Sequence, residues 1–254
     1  MNDFLDSLPD YDVLKGGEVE PEKKKPRRRP NDYGDGFGEY YERKTRINNY
    51  VSVLFFPLLI IYLESVLRLS IGETFLSIGV IYTAFLTVPI ACVLTVLCTF
   101  GSEALNRVLC NIFALLITLL FVAQILYQSV FNRLFTISGE SRAPVFESVL
   151  KSLGDKAGFL IAAILPLVLS IIAGKYLFRF HKIRIPAKIC LILVAVLFQL
   201  VSLTALSINR RSSSPVSSYN LYHHSLRIND AQERFGLLTA QRLDIQALFG
   251  GNNE

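Results

Sequence analysis

The stretch that decides the fold comprises residues 50–69 and reads YVSVLFFPLLIIYLESVLRL. An apolar helix of about 20 residues is long enough to cross the hydrocarbon core of a bilayer. Four further apolar stretches of spanning length follow, at about 75–100, 108–131, 158–178 and 186–208. Prolines lie inside three of the five stretches, and neighbouring helices satisfy the carbonyls that such prolines free. The sequence therefore predicts an all-α, polytopic membrane protein with five transmembrane helices.

The 49 residues before the first span are polar and include a basic cluster, Lys23–Lys25 and Arg27–Arg29. Such a segment buries too little apolar surface to offset its ordering entropy, so residues 1–49 are predicted to form a disordered cytoplasmic tail. The cluster fits a topology signal, a contact for anionic lipid headgroups or a solvated linker. A nucleic-acid partner is not expected beside five membrane helices. The predicted domains are this tail, a membrane domain at 50–208 and an extracellular linker at 209–254.

The orientation in the membrane is predicted from the distribution of Lys and Arg. The tight loop between the fourth and fifth spans carries Lys175, Arg179, Lys182, Arg184 and Lys188. Short loops rich in these residues stay on the cytoplasmic side. We therefore expect a multi-pass plasma-membrane protein with a cytoplasmic N-terminus and an extracellular C-terminus. The first span lies too deep in the chain for a cleaved signal peptide and is expected to act as a signal anchor.

Residues 132–157, between the third and fourth spans, contain a short apolar pattern at helical spacing. Its members are Val145, Phe146, Val149, Leu150 and Leu153. The pattern predicts an amphipathic helix that is too short to span. Such a helix lies at the membrane interface or packs on the helix bundle, and the sequence leaves both interpretations open.

The C-terminal stretch NDAQERFGLLTAQRLDIQALFGG, residues 229–251, is charged and periodic. Asp230 and Glu233 match a capping box, and Gly250–Gly251 provide a helix stop. The sequence predicts one amphipathic linker helix at 230–249. One apolar face of this helix is expected to pack on the membrane or on the loop helix; it comprises Phe235, Leu238, Ile245, Leu248 and Phe249.

Glu64 and Arg68 are the candidate functional residues of the first span, because charged residues in a span usually pair and face the bundle interior. They are four residues apart and share a helix face. The pair is interpreted as a salt bridge that pins the helix end, or as a contact for a lipid headgroup or a docking segment. The sequence offers no catalytic residue and no metal site. The four cysteines lie in or beside apolar runs without a CxxC pair, as is typical of packing residues.

Three stretches resemble the membrane domain of lipoteichoic acid synthase-like proteins. FFPLLIIYLESVLRL, residues 55–69, is similar to the first membrane helix of that family, and its Glu64/Arg68 pair is part of the resemblance. YQSVFNRLFTISGESRAPVFESVLKSL, residues 127–153, resembles the loop after the third helix. ERFGLLTAQRLDIQALFG, residues 233–250, resembles the linker that leaves the membrane domain and is the most specific of the three.

The resemblance implies a phosphoglycerol transferase of the sulfatase and alkaline phosphatase superfamily, in the cell envelope of Gram-positive bacteria. Such enzymes move glycerol phosphate from phosphatidylglycerol to a polymer, using a threonine nucleophile and a divalent metal, usually manganese. No position of this chain matches those catalytic residues. The expectation is therefore a membrane-anchoring domain without its own cofactor, inactive alone, that contacts membrane lipid such as phosphatidylglycerol and a separate sulfatase-like domain.

Two other functions remain open from the sequence. A standalone membrane scaffold would keep the domain without the chemistry, and an adjacent sulfatase-like reading frame would speak against it. A small transporter or channel subunit is the third hypothesis. It is disfavoured because the spans lack the glycine-rich broken helices and midplane charges of transport sites.

Overall fold

The computed structural model describes residues 36–73, 78–137, 146–176, 185–208, 217–223 and 228–249. Within these ranges the chain forms helices and no strands, which confirms the all-α prediction. The helices are α1 Gly36–Ser70, α2 Ile78–Leu97, α3 Glu103–Phe131, α4 Phe146–Asp155, α5 Ala157–Tyr176, α6 Ile185–Ser207, α7 Ser218–His223, α8 Ile228–Phe235 and α9 Leu237–Phe249. The described residues from Lys44 onward belong to one compact unit, which contains the apolar part of α1 and the later helices.

Several helices are long and apolar enough to cross a membrane. Four qualify on their own: Tyr50–Ser70, Gly79–Leu97, Glu103–Phe131 and Ile185–Ser207. A fifth span is present if α4 and α5, which meet at an angle of 79°, are taken together. The prediction of a multi-pass membrane protein is confirmed at this level. The orientation stays a prediction, and three of the basic residues that carry it, at 179–184, lie outside the described residues.

The predicted disordered tail differs from the structure in its last part. Helix α1 begins at Gly36, so residues 36–49 are helical. Extending an existing helix adds one hydrogen bond for each residue ordered, whereas starting a new one is costly. The apolar span therefore serves as a nucleus from which helix propagates into the polar residues before it. The first 35 residues, with the basic cluster at 23–29, lie outside the described part of the chain.

Helix α1 lies at the centre of the main apolar core. Buried side chains from α1, α2, α3 and α5 form one cluster, and Leu237 at the start of α9 joins it. The α1 members are Phe56, Leu59, Ile60, Leu63, Val66 and Leu67. In the bundle, α5 packs on α3 and α6 packs on α2. The first span is thus covered by protein over much of its surface, whereas α6 presents most of its surface outward.

A second, smaller core joins the C-terminal helices to the bundle. Its members come from α2, α6, α7, α8 and α9 and are Leu86, Leu206, Leu221, Ala231, Phe235 and Ala240. The ring of Phe235 meets Tyr82 and Tyr222 edge-on, at centroid distances of 6.2 and 5.8 Å. Such edge-to-face pairs add to the stabilisation from burial. The C-terminal helices are therefore packed against the bundle.

The corner between α4 and α5 is tied to the C-terminal end of α1. The ammonium group of Lys156, at the corner, donates to the carbonyl of Ser70, the last residue of α1, at 2.6 Å. Helix α4 lies in the segment where a loop helix was predicted; its apolar side chains Phe146, Leu150 and Leu153 are exposed and Ser152 is buried. The placement of this apolar face in the membrane interface stays a prediction.

Pro166 explains how α5 is held to α1. Proline has no N–H, so the carbonyl four residues earlier, that of Ala162, loses its helical donor. The hydroxyl of Tyr62 on α1 donates to this carbonyl at 3.0 Å. The tyrosine thus satisfies a backbone group that would otherwise be unpaired in an apolar surrounding, and it holds the two helices at a set distance. We call this hydrogen bond the Tyr62 strut.

Replacing Tyr62 by Phe should lower the free energy of unfolding by about 1 kcal/mol, the usual net value of one hydrogen bond. The loss should shrink in a Pro166→Ala background, because alanine at 166 restores the backbone N–H that donates to the carbonyl of Ala162. Thermal unfolding in detergent of the two single variants and the double variant measures the coupling. Tyr50→Phe, which removes an exposed hydroxyl, is the control. Purely additive effects of the two substitutions would contradict the Tyr62 strut.

Candidate docking site at the end of the first span

The last turns of α1 contain a buried ion pair. Glu64 and Arg68 are one helical turn apart, and Arg68 exposes only 1% of its surface. Nε of Arg68 lies 3.3 Å from Oε1 of Glu64. Both charges have therefore been removed from solvent, which is unfavourable unless each finds further polar partners.

Gly236 lies opposite this pair and separates α8 from α9. Its φ is +83°, in the left-handed region that favours glycine. A Cβ added here would lie 2.5 Å from Cγ2 of Thr83 and 3.2 Å from the carboxyl carbon of Glu64. The prediction of one linker helix at 230–249 is therefore wrong, because close approach to α1 and α2 requires a glycine turn that ends one helix and starts another. The predicted capping box is also wrong, since α8 begins at Ile228, ahead of Asp230.

The break places two helix ends of opposite polarity on the ion pair. Nη2 of Arg68 donates to the carbonyls of Gln232 and Glu233, in the last turn of α8, at 3.4 and 2.8 Å. The N–H of Leu237, the first residue of α9, donates to Oε2 of Glu64 at 2.9 Å. Terminal carbonyls and N–H groups lack partners within their helix, and the macrodipole is negative at the C-terminus and positive at the N-terminus. Each charge therefore faces the helix end of opposite sign. We call this set, Glu64, Arg68 and the backbone of 232–237, the latch.

Two further side chains accept hydrogen bonds from Arg68. Thr83 Oγ1 on α2 accepts from Nη2 at 3.2 Å. Oε2 of Glu73, just after α1, accepts from Nη1 at 3.4 Å. Burial raises the pKa of Glu73 above its ordinary value, while the positive charge of Arg68 acts in the opposite direction. The guanidinium thus connects α1 to α2, to α8 and to the turn that follows α1.

Helix α9 has a second polar attachment, to the segment 134–137 that follows α3. Gln241 donates to the carbonyl of Phe135 at 2.8 Å, and Asp244 accepts from the N–H of Ile137. Asn229 on α8 accepts from the N–H of Leu134 at 3.1 Å. The side chain of Gln124 binds both the N–H and the carbonyl of Phe135. The segment is therefore held by polar side chains of α3, α8 and α9, of which Gln124, Gln241 and Asp244 are buried.

The predicted packing face of the linker is only partly the face that is buried. Phe235 is fully buried and Leu238 packs partly on the main core. Ile245, Leu248 and Phe249 are exposed, Phe249 to 87%. The turn at Gly236 changes the phase of α9, so its inward face comprises Leu237, Thr239, Ala240, Gln241 and Asp244. The predicted face was built from apolar residues alone, so it left out Gln241 and Asp244. Each lies four residues after an apolar residue of the inward face, Leu237 and Ala240, and this spacing was the available signal.

Metal-ligand side chains do not cluster in the part of the chain that the structure describes: no group of three or more His, Cys, Asp or Glu is suited to an ion there. His223 packs its ring on Tyr219 and Tyr222. What the latch geometry provides is mechanical: it fixes two helices against the end of a membrane span through the polar contacts of Glu64 and Arg68.

Replacing Gly236 by Ala should release α8 and α9 from the bundle. An alanine at positive φ costs about 1–2 kcal/mol, and the overlap with Thr83 adds to it. Trypsin cleavage after Arg234 and Arg242, both half-buried, should become faster. Thr83→Ser in the same chain removes the overlapping methyl group and should restore part of the protection. Gly154→Ala, where a Cβ meets nothing within 4 Å, is the control; unchanged cleavage of the Gly236 variant would show that the close approach is unimportant.

Exchanging the charges, with Glu64→Arg and Arg68→Glu together, tests the match to the helix ends. The pair itself survives, but each charge then faces a helix end of like sign, and each such end is worth up to about 2 kcal/mol when partly buried. We expect a lower unfolding temperature than for the neutral double variant Glu64→Gln/Arg68→Gln. The same exchange at Glu147 and Lys151, which are exposed and four residues apart on α4, should change the unfolding temperature very little. Equal stability of the exchanged and native chains would mean that pairing alone matters.

No protein-family model, curated protein or solved structure matches this chain. Any likeness to lipoteichoic acid synthase-like proteins therefore rests on the three sequence stretches quoted above.

Proposed function

We propose that this chain is a membrane-anchoring and docking domain of the lipoteichoic acid synthase-like type. In this proposal the latch holds α8 and α9 in a set orientation at one face of the membrane, and a separate sulfatase-like domain binds there. The observation that carries the proposal is the pairing of Glu64 and Arg68 with the backbone of 232–237. The domain itself performs no chemistry and serves to place an enzyme relative to its lipid substrate.

The geometry favours docking of the chain's own helices over binding of a lipid headgroup at this pair. Arg68 is almost wholly enclosed, and its donors point at protein oxygens. Removing one member of a buried pair costs about 3–5 kcal/mol, because it leaves the other charge uncompensated. A flexible tether would need no such arrangement. A rigid one is needed where the distance between an active site and the bilayer surface must be constant.

The resemblance supplies the rest of the proposal. It supports phosphatidylglycerol as the lipid beside the domain, a Gram-positive plasma membrane as the location, and an extracellular position for α8 and α9. The alternative of a standalone scaffold uses the same latch to present α8 and α9 to a partner without phosphoglycerol chemistry. The two functions differ in the protein that α8 and α9 bind, so binding of a sulfatase-like domain is the property to measure.

Co-purification of a soluble sulfatase-like domain from a lipoteichoic acid synthase-like protein tests the proposal. The native chain in phosphatidylglycerol vesicles should retain that domain, and Glu64→Gln should reduce retention at least tenfold by freeing α8 and α9. Glu147→Gln, a like change at an exposed site on α4, is the matched control. Equal retention of the domain by the native chain and the Glu64→Gln variant would show that the latch is not required for docking. No retention by the native chain would leave the scaffold as the better description.

A further inference from the structure

A trench lined by apolar residues runs between α1 and α5. Its longer part has a volume of about 470 Å³ and is lined by Tyr50, Leu54, Phe55, Leu58, Tyr62 and Pro166, among others. A second part, of about 430 Å³, continues past Tyr62 along Ser65, Leu69, Gly158 and Phe159. Tyr62 lines both parts, because its bond to the carbonyl of Ala162 crosses the trench between them.

The trench exists because small or ring-shaped residues on α5 face long ones on α1. Gly158, Ala162 and Pro166 follow one another at four-residue spacing and so share one face of α5. Of the three, Pro166 lines the longer part together with Leu54 and Leu58 of α1, which are exposed, whereas Gly158 and Ala162 line the second part. The Tyr62 strut sets the separation of the helices, so the gap does not close.

The dimensions of the longer part correspond to one leaflet of a bilayer. From Tyr50 to Tyr62 the helix rises about 18 Å, at 1.5 Å per residue. Half of a hydrocarbon core about 30 Å thick is about 15 Å. The volume lies within the range of about 300–1,000 Å³ that is usual for ligand pockets. The part therefore has the length and the volume of a site for a single lipid chain.

The chemistry of the lining points to the same occupant. Apart from the two tyrosine hydroxyls, the side chains that line the longer part are hydrocarbon. Tyr50 lies at the end of this part that is nearest the start of the span, and tyrosine suits the headgroup level of a membrane. Since α1 is a membrane span, the open side of the trench faces the bilayer. We propose that the longer part of the trench binds one acyl chain of a membrane phospholipid, with the headgroup beside Tyr50. This site is independent of the latch and of the docking role.

Native mass spectrometry of the detergent-purified chain, reloaded with dioleoylphosphatidylglycerol, tests the site. Leu58→Trp fills the trench and should remove one retained phospholipid per protein. Leu193→Trp, on α6, is the matched control, because Leu193 is 63% exposed and Leu58 is 62% exposed. The control and the native chain should retain the same number of lipids. Circular dichroism of both variants establishes that they are folded.

A second pair of variants keeps the test decisive if Leu58→Trp does not fold. Leu54→Phe narrows the trench less severely, and Leu197→Phe on α6 is its control. Equal lipid retention by native chain and folded trench variants would overturn the proposal. So would a change from dimer to monomer by light scattering in the trench variants alone, because the trench would then be a contact between two copies of the chain. Repeating the measurement with dioleoylphosphatidylcholine should give the same loss, since the acyl chain is the group recognised.

Discussion

A carboxylate and a guanidinium, buried one turn apart on α1, meet two helix ends whose polarities are opposite to their own charges. This match of charge and polarity offsets the cost of burying both the ion pair and the helix ends. A buried ion pair rarely repays the loss of hydration by its own attraction, and helix ends in an apolar surrounding leave carbonyls and N–H groups unpaired. In this site the guanidinium of Arg68 binds carbonyls at the end of α8, and the carboxylate of Glu64 binds the first N–H of α9, so the charges and the helix ends are both paired. These polar contacts position α8 and α9 together with the apolar packing of Phe235, Leu237 and Ala240.

The C-terminal end of α1 is consequently a point at which several elements of the described chain are joined. Arg68 reaches Thr83 on α2 and the carbonyls of α8, Glu64 holds the start of α9, and Ser70 accepts from Lys156 at the α4–α5 corner. Nearer its middle, α1 holds α5 through Tyr62. Apolar spans have little hydrophobic drive to associate within lipid, so packing and polar contacts determine which helices meet. In this chain several of those contacts come from a single helix, and among the four helices that qualify as spans on their own α1 is the most buried and α6 the least.

The spans and the all-helical class were predictable because they depend on local composition, which any window of about 20 residues reveals. The pair Glu64/Arg68 was also predictable as unusual, since charge inside an apolar run is costly. Its partners were not, because backbone groups carry no sequence signal and lie far along the chain. The prediction of one helix at 230–249 ran through Gly236 without singling it out, although its lack of a side chain is what allows contact with Thr83. Gln241 and Asp244 were overlooked for a related reason: their buried partners are carbonyl and N–H groups of the segment 134–137.

The separation of the latch residues along the chain has a consequence for biosynthesis. Glu64 and Leu237 are 173 residues apart, and a ribosome adds about 5–20 residues per second. The first span therefore waits about 9–35 s for the helix ends that complete its ion pair, at those rates. Arg68 has nearer partners during this interval, in Glu73 five residues on and Thr83 fifteen residues on. Glu73 and Thr83, which bind Arg68 in the complete fold, are thus also able to bind its guanidinium during synthesis, while the remaining spans enter the bilayer.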